Sequence, residues 1–340
     1  MGEADSPVAI IGAGSWGTAL AALLGREGLR VRLWARRPEM AQSLRLRREN
    51  QQYLPGVTLP DSVEPHDDLA RALEGAQTVV LAVPSRGMRE TVRALRAHLK
   101  PQHNLISAAK GLEHHTGLRM TQVIAQELPT PWGAGAACLS GPNLAAEVAA
   151  GIATTTVIAC ADADLARRAQ GLFMCPTFRV YTNPDVIGVE LGGALKNVIA
   201  IGAGINDGLA FGDNTKAALV TRGLAEITRL GVALGAASET FMGLSGIGDL
   251  VATCASRRSR NHYVGYCLAA GRTLDEILAG MDMIAEGVPT TEAAVRLAET
   301  TGVEMPITRA VHAVLFEGQR PLDAVRELML REARNEREEM

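Results

Sequence analysis

The sequence uses very little lysine, and this scarcity makes each lysine informative. Only four of its 34 basic residues are lysines, namely Lys100, Lys110, Lys196 and Lys216. Arginine cannot give up its proton in a protein, whereas lysine can. We therefore expect lysine to persist where proton exchange is needed, with codon bias as the alternative explanation. Lys110 and Lys196, which lie among glycines and small apolar residues, are the stronger candidates.

Paired cysteines and excess basic charge are also lacking. Five cysteines stand at positions 138, 160, 175, 254 and 267, without the spacing of a disulfide framework or a zinc site. We predict reduced thiols and no bound metal. The net charge of -3 provides no basic field for nucleic acid, so a nucleic-acid partner is not expected.

Neither a membrane-spanning segment nor a signal peptide is expected from the sequence. No apolar run reaches membrane-spanning length by inspection, so we predict a protein that does not span a membrane. Residues 1–7 contain two acidic residues and no basic one, unlike a signal peptide. With 47% hydrophobic and 21% charged residues over 340 positions, the sequence predicts a two-domain globular protein of the cytoplasm.

A glycine-rich loop stands near the start of the chain. Residues 8–11 are a β-branched apolar run typical of a buried parallel strand, and residues 18–27 fit a helix. The loop between them reads Gly12, Ala13, Gly14, Ser15, Trp16, Gly17. Followed by a second strand at 31–34, this arrangement predicts a dinucleotide site, where glycines let the backbone approach a pyrophosphate at a helix N-terminus.

The end of the second predicted strand indicates which dinucleotide binds. An acidic residue there would hold the ribose 2′-hydroxyl and favour NAD. The chain has Arg36 and Arg37 instead, and two guanidinium groups suit a 2′-phosphate. We therefore favour NADPH over NADH, with solvated loop charges as the alternative.

Further strand patterns extend the α/β alternation through the first half. They lie at 78–83, 104–108, 136–139, 154–159 and 178–181. Ligands of open α/β sheets bind at the carboxyl ends of strands, where Pro84, Lys110 and residues 140–143 fall. His114 and His115 follow without a third ligand at metal spacing, so we interpret them as loop residues.

The second half of the chain changes to helical periodicity. Apolar-periodic segments follow at 186–206, 215–234, 263–270, 290–300, 307–316 and 322–330. We therefore predict a dinucleotide-binding domain at 1–184 and an all-helical substrate-binding and catalytic domain at 185–335.

One helical segment is unusual, because residues 193–214 are apolar and glycine-rich yet contain Lys196. Burying an unpaired charge in such a helix is costly. Its ammonium must reach water, find an anionic partner or have a lowered pKa. The last case creates a proton donor and acceptor near neutral pH.

Three more stretches stand out in the helical half. Asp249 lies among glycines and apolar residues, where it could cap a helix or orient a lysine. Residues 257–261 combine arginines with Ser259 and Asn261 before a predicted helix, which suits a phosphate group or a solvated basic turn. Residues 284–289 indicate a loop before a helix.

Together these segments resemble the bacterial NAD(P)-dependent glycerol-3-phosphate dehydrogenases. The resemblance runs from residues 12–20 to 285–287, and its most specific part is 193–197 continuing to 212–214. It implies a Rossmann-type α/β N-terminal domain and an all-α C-terminal domain like that of 6-phosphogluconate dehydrogenase. It also implies reversible reduction of dihydroxyacetone phosphate to sn-glycerol 3-phosphate with NADPH or NADH, the first step toward phospholipid backbones.

The matching positions imply roles for individual residues. Lys196 resembles the proton donor or acceptor. Substrate contacts are implied for Lys110, Gly141, Asn143, Lys196, Asp249, Ser259, Arg260 and Asn261. Cofactor contacts are implied, with the glycine loop, for Gly12, Gly14, Ser15, Trp16, Gly17, Arg36, Arg37, Lys110, Ala145, Arg260, Ile284 and Glu286. The family usually has Ser or Thr where this chain has Asn143, which can still donate and accept hydrogen bonds.

The implied reaction matches the chemistry of these side chains. A developing alkoxide needs a proton and a cation, which two lysines can supply. Repulsion between Lys110 and Lys196 would lower one lysine pKa from about 10.4, and Asp249 would limit that shift. Arg260 would hold the substrate phosphate.

Two other interpretations stay open at this point. A β-hydroxyacid dehydrogenase would also combine a Rossmann domain, a helical domain and a catalytic lysine, although a phosphate-binding Arg260 speaks against carboxylate-only substrates. A non-catalytic, nicotinamide-responsive regulator would need no proton-transferring lysine. A homodimer is compatible with a large apolar helical domain.

Overall fold

The computed structural model describes residues 6–128, 132–333 and 335–336, so residues 1–5 of the predicted leaderless N-terminus lie outside it. The chain divides into two compact units. The sheet unit consists of Met1–Ala109 and Met120–Val186, and the helical unit of Lys110–Arg119 and Ile187–Met340. Whereas the sequence predicts one boundary after residue 184, the structure adds the excursion Lys110–Arg119 to the helical unit.

An eight-stranded sheet is the centre of the sheet unit. Its strands are β1 (Val8–Ile11), β2 (Val31–Trp34), β5 (Val63–His66), β6 (Thr78–Leu81), β7 (Asn104–Ser107), β8 (Ala137–Ser140), β9 (Thr154–Ala159) and β10 (Phe178–Asn183). Their spatial order is β10-β9-β8-β7-β6-β1-β2-β5. All neighbours are parallel except β8 and β9. The short strands β3 (Glu49–Asn50) and β4 (Leu54–Thr58) form a separate antiparallel pair.

The centre of this sheet is the part that the sequence predicts well. Ile10 of β1 is in register with Leu33 of β2 and Val80 of β6, and all three are fully buried. Because both faces of such parallel strands are buried, their sequences are continuous apolar runs, which makes them easy to predict. Strand β5 is missed because it contains Pro65, which an edge strand tolerates since proline cannot donate to a ladder.

Helices accompany the strands of the sheet unit. They are α1 (Ser15–Arg26), α2 (Pro38–Arg47), α3 (Leu69–Leu73), α4 (Met88–Leu95), α5 (Met120–Glu127), α6 (Trp132–Gly135), α7 (Ala145–Ala149) and α8 (Ala163–Phe173), with a 3₁₀ turn at Ser85–Gly87. Helix α1 begins three residues before the predicted residue 18. Gly17 lies in the first turn of this helix, where a larger residue is excluded because a Cβ there would lie 1.9 Å from the Gly12 carbonyl oxygen.

The helical unit contains eight α-helices within the described residues. They are α9 (Val186–Gly208), α10 (Gly212–Ala233), α11 (Asp249–Ala255), α12 (Arg260–Ala269), α13 (Leu274–Ala279), α14 (Gly287–Thr301), α15 (Pro306–Phe316) and α16 (Pro321–Met329). A 3₁₀ turn at Ser238–Met242 and a π-helical turn at Leu244–Gly248 precede α11. The predicted loop at 284–289 is shorter, because α14 already begins at Gly287.

Helix α9 is the buried core of the helical unit. Apolar side chains from Leu191, Leu195 and Ile199 pack in its main hydrophobic cluster. Gly204 is required by close packing, since a Cβ there would lie 1.9 Å from the His262 carbonyl oxygen of α12. Glycine has no Cβ, so at this position it lets the backbones of α9 and α12 approach closely.

Helix α9 is also a long apolar run, although none of membrane-spanning length was expected from the sequence. Val186–Gly208 has 23 residues and a mean hydropathy of 1.5 in its most apolar window, which is enough length and apolarity to cross a membrane. However, 83% of that window is buried inside the protein, as is typical of a core helix. Length and composition alone are therefore weak evidence of a span.

Candidate active site

Lys196 lies in the middle of α9 and is 6% exposed. Its Nζ donates to Thr253 Oγ1 at 2.6 Å and lies 3.1 Å from Asp249 Oδ1. Burial lowers the pKa of Lys196 to about 8, while the Asp249 carboxylate opposes that shift and the Lys110 ammonium adds to it. The lysine in an apolar helix thus has both an anionic partner and a lowered pKa. Burial is the main cause, rather than the predicted lysine–lysine repulsion.

Asp249 is the first residue of α11, and its carboxylate joins the two lysines. Lys110 Nζ lies 2.8 Å from Oδ2, and Lys196 lies on Oδ1. Asp249 is 2% exposed, so the pairing takes place away from bulk water. The sequence left two roles open for Asp249, capping a helix or orienting a lysine. Its contacts with Lys110 and Lys196 support the second role. Asp249 lies in the first turn of α11 but is not its N-cap residue.

Thr253 is a site residue that the sequence analysis misses. It lies one helical turn after Asp249, donates to the Asp249 backbone carbonyl at 2.6 Å and lies 3.2 Å from Oδ1. Its hydroxyl therefore accepts from Lys196 while it is anchored to the backbone of α11. The i, i+4 spacing from Asp249 is the signal that could have identified it.

A relay of amide groups connects three further segments. The backbone N–H of Gly287 donates to Asn261 Oδ1 at 2.9 Å, and Asn261 Nδ2 donates to Asn197 Oδ1 at 2.8 Å. Asn197 Nδ2 in turn donates to the Lys110 carbonyl at 3.3 Å. Asn261 is 7% exposed, and both the oxygen and the nitrogen of its side-chain amide are hydrogen-bonded within this relay. The relay therefore fixes the starts of α12 and α14 to the residue beside Lys196.

The predicted phosphate anchor forms the start of α12. Ser259 is its N-cap and accepts from the His262 N–H at 3.3 Å, and Arg260 follows as the first helical residue with an exposed side chain. A guanidinium beside a helix N-terminus is suited to a phosphate group. Glu286 is the N-cap residue of α14, and the half-buried Ile284 lies two residues before it.

A second lysine–carboxylate cluster involves α9, α10 and α12. Asp207 near the end of α9 lies 2.8 Å from Lys216 Nζ and 2.8 Å from His262 Nε2. These contacts lower the pKa of Asp207 against the opposing effect of its burial, which is the largest single influence. The cluster holds α9, α10 and α12 together, and sequence reasoning did not anticipate it.

The glycine loop of the sheet unit fits a dinucleotide. Gly12 has φ of +118°, and a Cβ there would lie 2.8 Å from the Ala82 carbonyl oxygen. A Cβ on Gly14 would meet nothing within 4 Å, so that side of the loop is open. Helix α1 begins directly behind it at Ser15, without a side-chain cap or an acidic residue in its first turn. Its N–H groups can therefore receive a pyrophosphate.

Arg36 and Arg37 lie just after the end of β2. Both are exposed. Arg37 donates to Gln52 Oε1 at 2.7 Å and Tyr53 Oη at 3.1 Å, and its guanidinium lies 5.9 Å from the Tyr53 ring centroid. Arg37 is therefore pre-positioned at the carboxyl end of β2, where a ribose 2′-phosphate is expected.

The predicted contacts after β8 lie at the end of that strand. Gly141 has φ of +147°, which favours glycine. Asn143 donates to the Thr155 carbonyl at 2.9 Å and accepts from Thr156 Oγ1 at 3.0 Å. The Asn143 side chain is therefore already hydrogen-bonded to β9. The family usually has a Ser or Thr hydroxyl at this position. Ala145 begins α7.

The other candidate ligand residues do not converge. His114 lies 3.4 Å from Glu292, and its ring stacks edge-on against His115 at 4.4 Å. All five cysteines are free thiols. Among the described residues, no group of three or more His, Cys, Asp or Glu side chains has the arrangement of a metal site.

Comparisons with known proteins cover nearly the whole chain. Two family models match, the N-terminus of NAD-dependent glycerol-3-phosphate dehydrogenase at residues 7–166 and its C-terminus at residues 185–326. The chain is 51% identical over 334 residues to a glycerol-3-phosphate dehydrogenase [NAD(P)+] of Geobacillus kaustophilus, covering 98% of this chain and 96% of the relative. It is 53% identical over 324 residues to that of Moorella thermoacetica, covering 95% and 96%.

Solved structures agree with these relatives. The chain is similar to a crystal structure of glycerol-3-phosphate dehydrogenase from Coxiella burnetii, with a TM-score of 0.92, 38% identity and coverage of 96% and 99%. A ketopantoate reductase from Ralstonia eutropha has a TM-score of 0.60 at 18% identity, with coverage of 94% and 99%, and shares the fold alone.

Proposed function

The chain belongs to the NAD-dependent glycerol-3-phosphate dehydrogenase family, and we propose that Lys196, Lys110 and Asp249 carry out the chemistry of its reaction. The enzyme reduces dihydroxyacetone phosphate to sn-glycerol 3-phosphate with NADH or NADPH, and the reaction is reversible. Its product is the backbone of glycerophospholipids. The two other interpretations, a β-hydroxyacid dehydrogenase and a non-catalytic regulator, are not supported by this family membership.

The pairing of a buried lysine with a shared carboxylate carries this proposal. Reduction adds a hydride to the substrate C2 carbon and a proton to its oxygen. When bound, the nicotinamide supplies that hydride; the proton must come from the protein. Lys196, with a pKa of about 8, is mostly protonated at neutral pH yet acidic enough to release its proton. In the oxidation direction, its neutral amine accepts the proton.

Lys110 and Asp249 act on the same oxygen through charge and position. The Lys110 side chain stabilises negative charge as it develops on the substrate oxygen. Asp249 holds both ammonium groups, at 2.8 Å and 3.1 Å. Thr253 fixes the direction of the Lys196 Nζ through its 2.6 Å hydrogen bond. Donors held in advance need no reorganisation during the reaction, which lowers its barrier.

We propose that Arg260 and the N-terminus of α12 bind the substrate phosphate. The Arg260 guanidinium and the Ser259-capped helix start supply charge-assisted donors. Asn261 would then act through the amide relay rather than through a free side chain, since both ends of its amide are bonded. Binding energy from the phosphate would hold the carbonyl in place for attack.

We propose that the glycine loop holds the dinucleotide pyrophosphate and that Arg36 and Arg37 favour NADPH. The open side of Gly14, the uncapped start of α1 and the pre-positioned Arg37 support this assignment. The contacts expected for Ala145, Ile284 and Glu286 stay predictions.

Turnover assays test the proposed function. Purified enzyme with NADPH should consume the cofactor on addition of dihydroxyacetone phosphate and not on addition of hydroxypyruvate. Turnover with hydroxypyruvate alone would favour a β-hydroxyacid dehydrogenase, and a lack of turnover with both would favour a regulator.

We propose a homodimer in addition. The helical unit has an apolar groove of about 320 Å³ along α10, α15 and α16, lined by residues such as Leu219, Val311 and Leu328. Phe211 and Met329 at its margins are exposed. Sedimentation equilibrium at several concentrations tests this, and a monomer mass throughout would contradict it.

We further propose a location in the cytoplasm, which is supported by five cysteines that form no disulfide, the pattern of a reducing compartment. Fractionation of the native host tests this, and recovery of the enzyme outside the cytoplasmic fraction would contradict it.

A further inference from the structure

The segment Lys110–Arg119 is attached to α9 at both of its ends. At the first end, Lys110 accepts a hydrogen bond on its carbonyl from Asn197 at 3.3 Å. At the second end, Arg119 Nη1 lies 2.6 Å from Glu190 Oε2. Glu190 and Asn197 are seven residues apart, so the two attachments lie about 10 Å apart along one helix.

The segment is itself a folded hairpin. Leu112 and Arg119 form an antiparallel bridge, and the Glu113 N–H donates to the Leu118 carbonyl at 2.9 Å. Gly117 takes φ of +71° at the turn. Leu112 is fully buried in the same cluster as Leu191 and Leu195 of α9. Arg119 and Lys110 therefore lie at the two ends of a hairpin whose arms are bonded to each other.

The ion pair between Arg119 and Glu190 is buried. The exposed fractions of the two side chains are 14% and 6%. Replacing a buried ion pair by apolar residues often costs little stability. This pair lies at the far end of the segment that carries Lys110, where it can serve the position of that segment.

We propose that the Arg119–Glu190 ion pair is a positioning device that seats the Lys110 ammonium on Asp249. Lys110 starts the excursion, and its side chain has to reach Asp249 Oδ2 at 2.8 Å. The hairpin is fixed to α9, and α9 carries Lys196, so the pair holds both lysines in one frame. This inference rests on the proposed function for its catalytic consequence, but not for the position of Lys110.

Loosening the pair has a defined electrostatic consequence at Lys196. The charged and titratable groups that act on Lys196 are Asp249 and Cys254 of α11 and Lys110 of the hairpin. If Lys110 leaves Asp249, Lys196 loses a like charge and gains the whole carboxylate. Both changes favour its protonated form, so the pH midpoint of the reaction should move upward.

The test variant is the double substitution Arg119→Met and Glu190→Gln. It removes one positive and one negative charge, so the net charge of the protein is unchanged. A shift in the pH midpoint of kcat therefore cannot be caused by a change in net charge. We expect kcat for dihydroxyacetone phosphate to fall by about 10- to 100-fold through misplacement of a catalytic cation. The KM for NADPH should stay the same, and the pH midpoint of kcat should rise.

A labelling experiment reads the position of Lys110 without turnover. The chain has only four lysines, so competitive acetylation followed by mass spectrometry resolves each of them. Lys110 should react several times faster in the double variant, while Lys100 and Lys216 stay at their wild-type rates as internal controls. Faster labelling with unchanged kcat would uphold the positioning role and contradict the catalytic role proposed for Lys110.

Two further variants separate position from stability. Glu226→Gln alters another buried carboxylate of the helical unit, away from the hairpin, and should lower the melting temperature without moving the pH midpoint or the labelling of Lys110. If the double variant does not fold, Arg119→Lys decides, because a single ammonium holds the carboxylate less firmly than a guanidinium and should give smaller changes in the same directions. Wild-type labelling of Lys110 in the folded variant would overturn the inference.

Discussion

Lys110 and Lys196 share one carboxylate: Lys110 Nζ lies 2.8 Å from Oδ2 of Asp249, and Lys196 Nζ lies 3.1 Å from Oδ1. The two lysines are 86 residues apart in the sequence, yet both belong to the helical unit. Sharing leaves each ammonium with half of a counter-charge. That balance permits Lys196 to be buried while its pKa stays within reach of neutral pH.

Replacing Lys196 with Arg should abolish most of the proton transfer. Arginine keeps the positive charge but does not release a proton, so kcat should fall by about 10²–10⁴-fold. Binding of NADPH, measured by fluorescence titration, should stay near normal. Lys216→Arg is the matched control, since Lys216 only pairs with Asp207 and an arginine can replace it there. A near-wild-type kcat for Lys196→Arg would refute the proton role.

The two reaction directions should depend on pH in opposite ways. Reduction needs the protonated form of Lys196, and oxidation needs the neutral amine. Because the pKa of Lys196 is lowered to about 8, kcat for reduction should fall above that pH and kcat for oxidation should rise up to it. Initial rates in both directions across a pH series test this. Profiles with the same slope in both directions would rule out a single shared group.

Replacing Asp249 with Asn should move the pH profile toward lower pH. The Asp249 carboxylate raises the pKa of Lys196 against burial and the Lys110 charge, so its removal lowers that pKa further. The residual activity should also be low, because two ammonium groups lose their anchor. The midpoint of residual kcat against pH is the measurement. A midpoint that moves upward would contradict the assignment of Asp249 as the shared partner.

Replacing Arg36 and Arg37 with Ala should weaken NADPH more than NADH. Only NADPH carries the 2′-phosphate that these guanidinium groups are proposed to bind. The ratio of the two dissociation constants is the readout. Arg47→Ala serves as a control, since Arg47 is exposed on α2 and donates to Gln51. Equal weakening of both cofactors by the Arg36 and Arg37 changes would refute the specificity argument.

Glu226 should make the stability of the enzyme depend on pH. Its carboxylate accepts from the Ile307 N–H at 2.6 Å and the Thr308 N–H at 3.1 Å at the start of α15. Burial raises its pKa from 4.5 to about 7, so the folded state binds a proton more tightly than the unfolded state. The resulting stabilisation is complete below pH 4.5 and is lost as the pH rises through 7.

Thermal unfolding of Glu226→Gln against the wild type measures this effect. Glutamine does not titrate, so only the wild type should lose stability as the pH rises from about 5 to about 8, on either side of the shifted pKa. The difference between the two melting temperatures should therefore narrow over this range. A constant difference would show that Glu226 does not titrate in this range.

The local pattern of the chain specified much of this fold. The strands at 8–11 and 31–34 and the glycine loop could be predicted because buried parallel strands are continuous apolar runs and the loop spacing is tied to backbone approach. The helical periodicity of the second half was equally plain. Edge strand β5 and the start of α1 were not, because a strand tolerates Pro65 only at a sheet edge and because Gly17, a poor helix former, lies in the first turn of α1.

The sequence by itself determined which residue types are available for the chemistry: a rare lysine in an apolar helix, a second lysine at a strand end and one isolated aspartate. Only the tertiary structure decided that Lys110 leaves the sheet unit, meets Asp249 and is held by a hairpin fixed at Arg119. It also decided that burial, more than repulsion between lysines, lowers the pKa of Lys196. The physical reason is that desolvation and charge pairing depend on distances between segments, which periodicity and spacing along a chain do not encode.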